Sequence, residues 1–149
     1  MHQTLSFYAL VFEKDFTAFC NQKLQEIGLT QGLLYFIIYI GKHPGCTAGT
    51  LIKDLRMDWG HVQRSIDKLA ADGFIDKKRN EEHRRAYSLS LTAKGDLAFL
   101  ISHQVFSDWD AKVLGKLSDI EKERLFELLE KLVDRKGEYI SVRDDKKSD

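Results

Sequence analysis

Net charge is absent from this chain. Its 149 residues carry 23 Lys and Arg against 23 Asp and Glu, so no overall field points to nucleic acid or to an anionic membrane. Cysteine is scarce, and Cys20 and Cys46 are too few for a disulfide framework and show no metal-type spacing. Long apolar runs are missing as well. The intensely apolar stretch from Gly32 to Gly41 spans ten residues, about half of what a membrane-spanning helix requires. No secretory signal precedes the first apolar segment, so a cytoplasmic protein is expected. There is no phosphate-cradling loop, nucleophile elbow or catalytic triad, and His2, His43, His61, His83 and His103 keep no metal-ligand spacing. Neither an enzyme nor a cofactor is expected. Repeats and linkers are lacking too, and the length suits a single domain over residues 1–149, able to bury on the order of 70% of its unfolded surface.

What is present is organised around Asp58 to Thr92. As a helix, the stretch from Trp59 onward places Val62, Ile66, Leu69 and Ala70 on one face, at spacings i, i+4, i+7 and i+8. Gly60, His61, Arg64, Asp67 and Lys68 fall on the opposite face. Asp58 suits the N-cap, where its carboxylate meets free first-turn N–H groups and the positive end of the helix dipole. After a turn at Gly73, Phe74 to Arg79 and Arg85 to Leu91 read as strands around a polar tip, Asn80 to Arg84. Tyr87, Leu89 and Leu91 alternate with Ala86, Ser88 and Ser90, the period of a half-buried strand. Between Trp59 and Lys94 stand eight basic and five acidic residues, a modest local excess. A groove-sized helix followed by a basic hairpin is the layout of a winged helix-turn-helix.

The segment Leu55-Arg56-Met57-Asp58-Trp59-Gly60-His61-Val62-Gln63-Arg64-Ser65-Ile66-Asp67-Lys68-Leu69-Ala70-Ala71-Asp72-Gly73-Phe74-Ile75 resembles the recognition-helix region of the MarR family of bacterial transcriptional regulators. Arg84-Arg85-Ala86-Tyr87-Ser88-Leu89-Ser90-Leu91-Thr92-Ala93-Lys94-Gly95 is similar to that family's wing and the step into its next helix. The resemblance covers roughly Leu29 to Gly95 in register. Two departures stand out. His83 replaces the aspartate that usually precedes the wing arginine by two residues, and Gly60, His61 and Gln63 stand where small hydroxyl residues are usual. A neutral imidazole cannot hold the arginine by charge, but it titrates near about pH 6.5 and would gain charge on acidification.

The chain around this segment reads as helices. Leu5 to Ile27 carries the stripe Leu5, Tyr8, Ala9, Phe12, Phe16, Phe19 and Ile27, while Phe7, Leu10 and Val11 make its first half apolar on the other side too. A helix apolar all round must be covered twice, and a second subunit is the natural cover. Gly28 ends it, and Thr30 is expected to cap an almost wholly apolar, central helix reaching Lys42. Pro44-Gly45 turns the chain, and Thr47 caps a short helix with Ala48, Leu51, Ile52 and Leu55 inward. Thr92 caps a long helix to about Leu117, and Ser118-Asp119-Ile120-Glu121 is a capping box for a last one. From Arg143 on, the charged chain is expected to fray. The fold expected is mainly α with a small β wing, its DNA-binding lobe at about 29–95 and dimerisation helices at about 1–28 and 96–140.

The resemblance implies a homodimer on double-stranded, pseudo-palindromic DNA, the recognition helix in the major groove and the basic wing at the minor groove. Arg64 is the candidate for a bidentate guanine contact. His61 and Gln63 lie, by carry-over, where the family touches bases or phosphates, with Lys68 on the same outer side. Gly60 either lets the backbone approach a phosphate or is a tolerated glycine near a cap. Trp59 is kept among the DNA candidates, although its projection towards Val62 and Ile66 favours packing under the first turn. Lys77, Arg79, Arg84 and Arg85 supply the wing, Arg85 standing at the family's wing arginine, where a long cation suits a narrow minor groove. Relatives bind small aromatic or lipophilic effectors where the first helices meet the lobe, which makes Phe12, Phe16, Tyr35 and Tyr39 candidates; plain core packing is the other reading. Cys20 does not fall at the position of the reactive cysteine of some relatives, which lies near the start of the first helix, and reads as buried and structural. The rival function is a winged-helix protein-interaction module without sequence-specific DNA binding.

Overall fold

The computed structural model describes residues 3–79, 81–82 and 86–133. Six helices and one hairpin follow in order: α1 (Leu5–Leu24), α2 (Gln31–Lys42), α3 (Ala48–Leu55), α4 (Trp59–Ala71), β1 (Ile75–Arg79), β2 (Tyr87–Leu91), α5 (Ala93–Leu114) and α6 (Asp119–Leu132). The apolar run of α2 makes it the centre, with Leu33, Leu34, Phe36, Ile37, Ile38, Tyr39 and Ile40 all buried. Against it pack α5, α1, α4 and the hairpin. The inward stripe of α4 is Val62, Ile66 and Leu69, fully enclosed as its spacing predicts.

Caps fix where most of these helices begin. Asp58 accepts from the His61 N–H at 3.1 Å, Thr92 from Gly95 at 3.1 Å, and Ser118 and Glu121 close a reciprocal capping box. Each such cap contributes about 1 kcal/mol. The start of α2 corrects the expectation. Thr30 is the N-cap residue, but its side chain makes no cap bond; the Gln31 N–H donates instead to Oδ1 of Asn21 in α1, at 2.8 Å. The first helix also ends earlier than Ile27. It passes at Gln25–Ile27 into a 3-10 turn that closes at Gly28 in the left-handed region, φ 74°.

The helix-turn-helix corner is made by Arg56, a non-glycine residue at φ 50°, held there at a cost of roughly 1–2 kcal/mol. The hairpin pairs antiparallel, Ile75 opposite Leu91 through Arg79 opposite Tyr87. Phe74 is buried just before β1, and β2 starts at Tyr87, with Ala86 ahead of it outside the strand and Arg85 outside the described residues. A short third partner seats the hairpin on α2. The Gly45 N–H donates to the Leu89 carbonyl and the Leu89 N–H to the Cys46 carbonyl, both at 2.8 Å. At its base the Thr92 hydroxyl donates to the Gly73 carbonyl at 2.6 Å, and Gly95 lies so close to the Phe74 carbonyl that a side chain there has no room.

The terminal helices are apolar and uncovered. On α1, Leu5, Phe7, Tyr8, Leu10, Val11 and Phe12 are exposed, and only Cys20 and Leu24 are buried. On α5, Leu97 and Leu100 are exposed, the latter by 66%. No residue of α6 is buried, and its Phe126, Leu128, Leu129 and Leu132 face outward. None of the described helices is long and apolar enough to cross a membrane.

Candidate nucleic-acid interface

The buried stripe of α4 leaves its other face on the surface. His61, Arg64 and Lys68 are exposed there, with Gln63 partly so. The first turn is crowded around Gly60: a Cβ on it would lie 3.1 Å from an Arg64 guanidinium nitrogen and 3.2 Å from Asp58 Oδ2. The Arg64 head therefore folds back over the start of its own helix, next to the capping carboxylate. The His61 ring meets the edge of Phe36, centroids 5.9 Å apart, so one side of the imidazole is packed and the other faces solvent.

Acidic neighbours occupy three of the expected DNA-contacting side chains. Lys68 pairs with Asp72 at 3.0 Å. Asp67 takes two at once, accepting from Lys77 Nζ at 2.6 Å and from Gln63 Nε2 at 3.3 Å on one oxygen. The Lys77 hydrogen bond, with its charge and the Gln63 bond, holds the Asp67 carboxyl below its ordinary value of 3.8. This ties strand β1 to the outer face of α4. Nothing in the sequence marks Asp67 for that role, since the two residues it joins stand on different elements. Arg79 is exposed at the end of β1, while His83, Arg84 and Arg85 lie outside the described residues.

Trp59 does not pack under the first turn. It is 65% exposed, because Val62 and Ile66 are already covered by the core. It lines instead an open cavity of about 320 Å³ between α3, α4 and the hairpin, with Thr47, Gly49, Gln63, Lys77 and Tyr87 among its walls. Tyr87, half exposed at the start of β2, also carries Lys77 Nζ 5.6 Å from its ring centroid.

The aromatic residues of the first helices separate into two groups. Phe12, Phe16 and Tyr35 line one cavity of about 390 Å³ with Glu13, Phe106, Trp109 and Asp110. Tyr39 is not brought there. It is buried, its hydroxyl donates to Asp54 of α3, and its ring stacks on His43 at 4.5 Å, so it fastens the helix-turn-helix to α2. Both thiols are pushed up to about 11 by burial, which keeps Cys20 and Cys46 protonated and unreactive at neutral pH. Among the described residues, no His, Cys, Asp or Glu group is arranged to hold a metal ion.

A sequence model of the MarR family matches residues 27–86, which span α2 to the edge of β2. An HTH-type transcriptional regulator from Clostridium symbiosum, BilQ, is 45% identical over 143 residues, 96% of this chain and 99% of the relative. The chain belongs to the MarR family of transcriptional regulators. A second BilQ, from Clostridioides difficile, is 31% identical over 91% of both chains. The fold agrees. The reduced form of MarR from E. coli superposes with a TM-score of 0.81 at 22% identity, over 90% of this chain and 99% of the other. A MarR family regulator from Listeria monocytogenes, solved in complex with a 26mer DNA, superposes with a TM-score of 0.73 at 22% identity, over 89% of this chain and 87% of that one. The hairpin is thus the wing of a DNA-binding winged helix. As a MarR-family transcriptional regulator the protein is not an enzyme.

Proposed function

We propose that two copies of this chain bind one pseudo-palindromic DNA duplex, each placing α4 in the major groove and its wing at the adjacent minor groove. The observation that carries this reading is the outer face of α4. It projects Gly60, His61, Gln63, Arg64 and Lys68 from a helix whose opposite face is locked in the core. Arg64 would read a guanine edge. Lys77, Arg79, Arg84 and Arg85 would supply backbone and minor-groove charge. Trp59 stands beside that surface, and its exposure favours a contact with the sugar-phosphate wall.

The proposed lobe is about 29–95, and the dimerising parts are about 1–28 and 96–140. Support for the dimer is the uncovered apolar surface of α1 and α6, since contiguous exposed apolar patches mark interaction sites. If both α4 helices enter successive major grooves, two-fold symmetry places the half-sites about one helical turn, roughly 34–36 Å, apart. A small effector in the cavity under α1 would act by favouring one separation of the two lobes over another. Hydroxyl-radical footprinting on the intergenic DNA upstream of the chain's own coding sequence tests the reading. Two protected half-sites related by a dyad are expected. A single site, or no protection, contradicts it. The exposed pair Trp59 and Tyr87 favours a second reading, a protein-interaction module, for which no protection on any duplex is the expected result.

A further inference from the structure

The cavity between α1, α2 and α5 has a polarity of its own. Its walls are largely rings: Phe16 lies 5.1 Å from Trp109 and 5.3 Å from Phe106, and Phe12 meets Trp109 edge-on at 6.2 Å. Its polar atoms are chiefly acceptors. Glu13 and Asp110 contribute carboxylates, Glu13 accepting from Thr17 Oγ1 at 3.2 Å, while the Tyr35 hydroxyl accepts from Gln31 Nε2 at 2.8 Å and keeps its own O–H as a donor. The indole N–H is turned away, donating to Asp15 at 2.9 Å. No Lys, Arg or His lines the space. Lys112 of α5 is engaged elsewhere, pairing with Asp15 at 3.8 Å and standing over Phe19. The Asp110 side chain carries no ion pair or hydrogen bond among the described residues, and although the residue is exposed, partial desolvation of its carboxyl raises its pKa, as expected for a carboxylate without a counter-ion.

We infer that this cavity binds an organic cation with an aromatic or apolar body, the charged head between Glu13 and Asp110 and the body against Phe12, Phe16, Phe106 and Trp109. Aromatic faces attract cations within about 6 Å of the ring centroid, and the volume of about 390 Å³ lies in the range that small ligands fill, roughly 300–1,000 Å³. A carboxylate-bearing aromatic of the same size would meet two like charges and few free donors. The inference rests on reading the cavity as an effector site, but not on DNA binding.

The test is titration of the DNA-free protein with benzyltrimethylammonium, phenylacetate and benzyl alcohol. Trp59→Phe leaves Trp109 as the sole tryptophan reporter, since the chain has two, and calorimetry on the unaltered chain gives an independent reading. The cation is expected to bind at least about tenfold more tightly than either other probe. Glu13→Gln with Asp110→Asn should remove most of that preference, and Asp110→Lys should shift it towards phenylacetate. All these positions are exposed, so the folded state should survive, with far-UV circular dichroism as the check. Phenylacetate binding as tightly as the cation overturns the inference. So does an unchanged cation affinity in the double variant, or an absence of saturation by the cation at millimolar concentration. Because no DNA enters the titration, failure here leaves the footprinting result standing, and failure there leaves this one readable.

Discussion

Replacing Gly60 with alanine sets the stability of α4 against its work on DNA. Gly60 is the second residue of the helix, and in a helix interior glycine costs roughly 0.5–1 kcal/mol relative to alanine. The new methyl would meet Arg64 at 3.1 Å and Asp58 at 3.2 Å, and both neighbours are side-chain ends that can yield a few tenths of an ångström. The net gain is therefore about 0.5 kcal/mol, which at about 2–4 °C per kcal/mol raises Tm by about 1–2 °C. On the proposed DNA-binding reading, the same methyl would displace the Arg64 head and hold a phosphate off the first-turn N–H groups. A lost hydrogen bond to a charged group is worth about 1.5–3 kcal/mol, so affinity for duplex DNA should fall at least about tenfold. Calorimetric melting at fixed protomer concentration and anisotropy with a labelled duplex read the two effects separately. A variant that melts higher and binds DNA within about twofold of the parent would refute the reasoning and leave Gly60 a tolerated glycine near a cap.

Arg64→Ala should relax discrimination between matched and mutated sites by about 1–3 kcal/mol. Arg85→Ala should instead weaken specific and competitor duplexes alike, and competition binding separates the two. Asp67→Asn frees Lys77 and Gln63 for phosphate, so non-specific affinity should rise and the salt slope steepen by about one unit. Because Lys77 lowers the folded-state pKa of Asp67, the parent's contribution from this pair is present above the ordinary carboxylate value of 3.8 and lost as pH falls through the lowered one. Acid unfolding of Asp67→Asn should lack that component. Sedimentation at low micromolar concentration should show a dimer, and a well-folded monomer would contradict the role given to α1 and α6.

Local features were legible in the sequence because they depend only on spacing along one helix. Val62, Ile66 and Leu69 declare their common face without knowledge of what covers it, and Asp58, Thr92 and Ser118 declare the helix starts they cap. The winged helix and the central α2 followed from such signals. Contacts between elements were not legible. Asn21 caps a helix ten residues on, Cys46 pairs with Leu89, and Asp67 joins α4 to β1, each only after the chain has packed. Trp59 misled because its helical position points towards the core side, whereas Val62 and Ile66 fill that space and leave the indole outside. Tyr39 looked equivalent to Tyr35 by composition, four residues away on the same helix. One hydroxyl reaches Asp54 and the other Gln31, and only Tyr35 borders the cavity.

Equilibrium anisotropy across a salt series tests the central claim most directly, comparing a duplex from the chain's own upstream intergenic region with a scrambled duplex of equal length. A sequence-reading winged helix should bind the first at least about 10³-fold more tightly at physiological salt. Both log affinities should fall linearly with log salt, with slopes of several units as bound phosphates release counter-ions. Equal affinities for the two duplexes, or binding that ignores salt, would contradict the account.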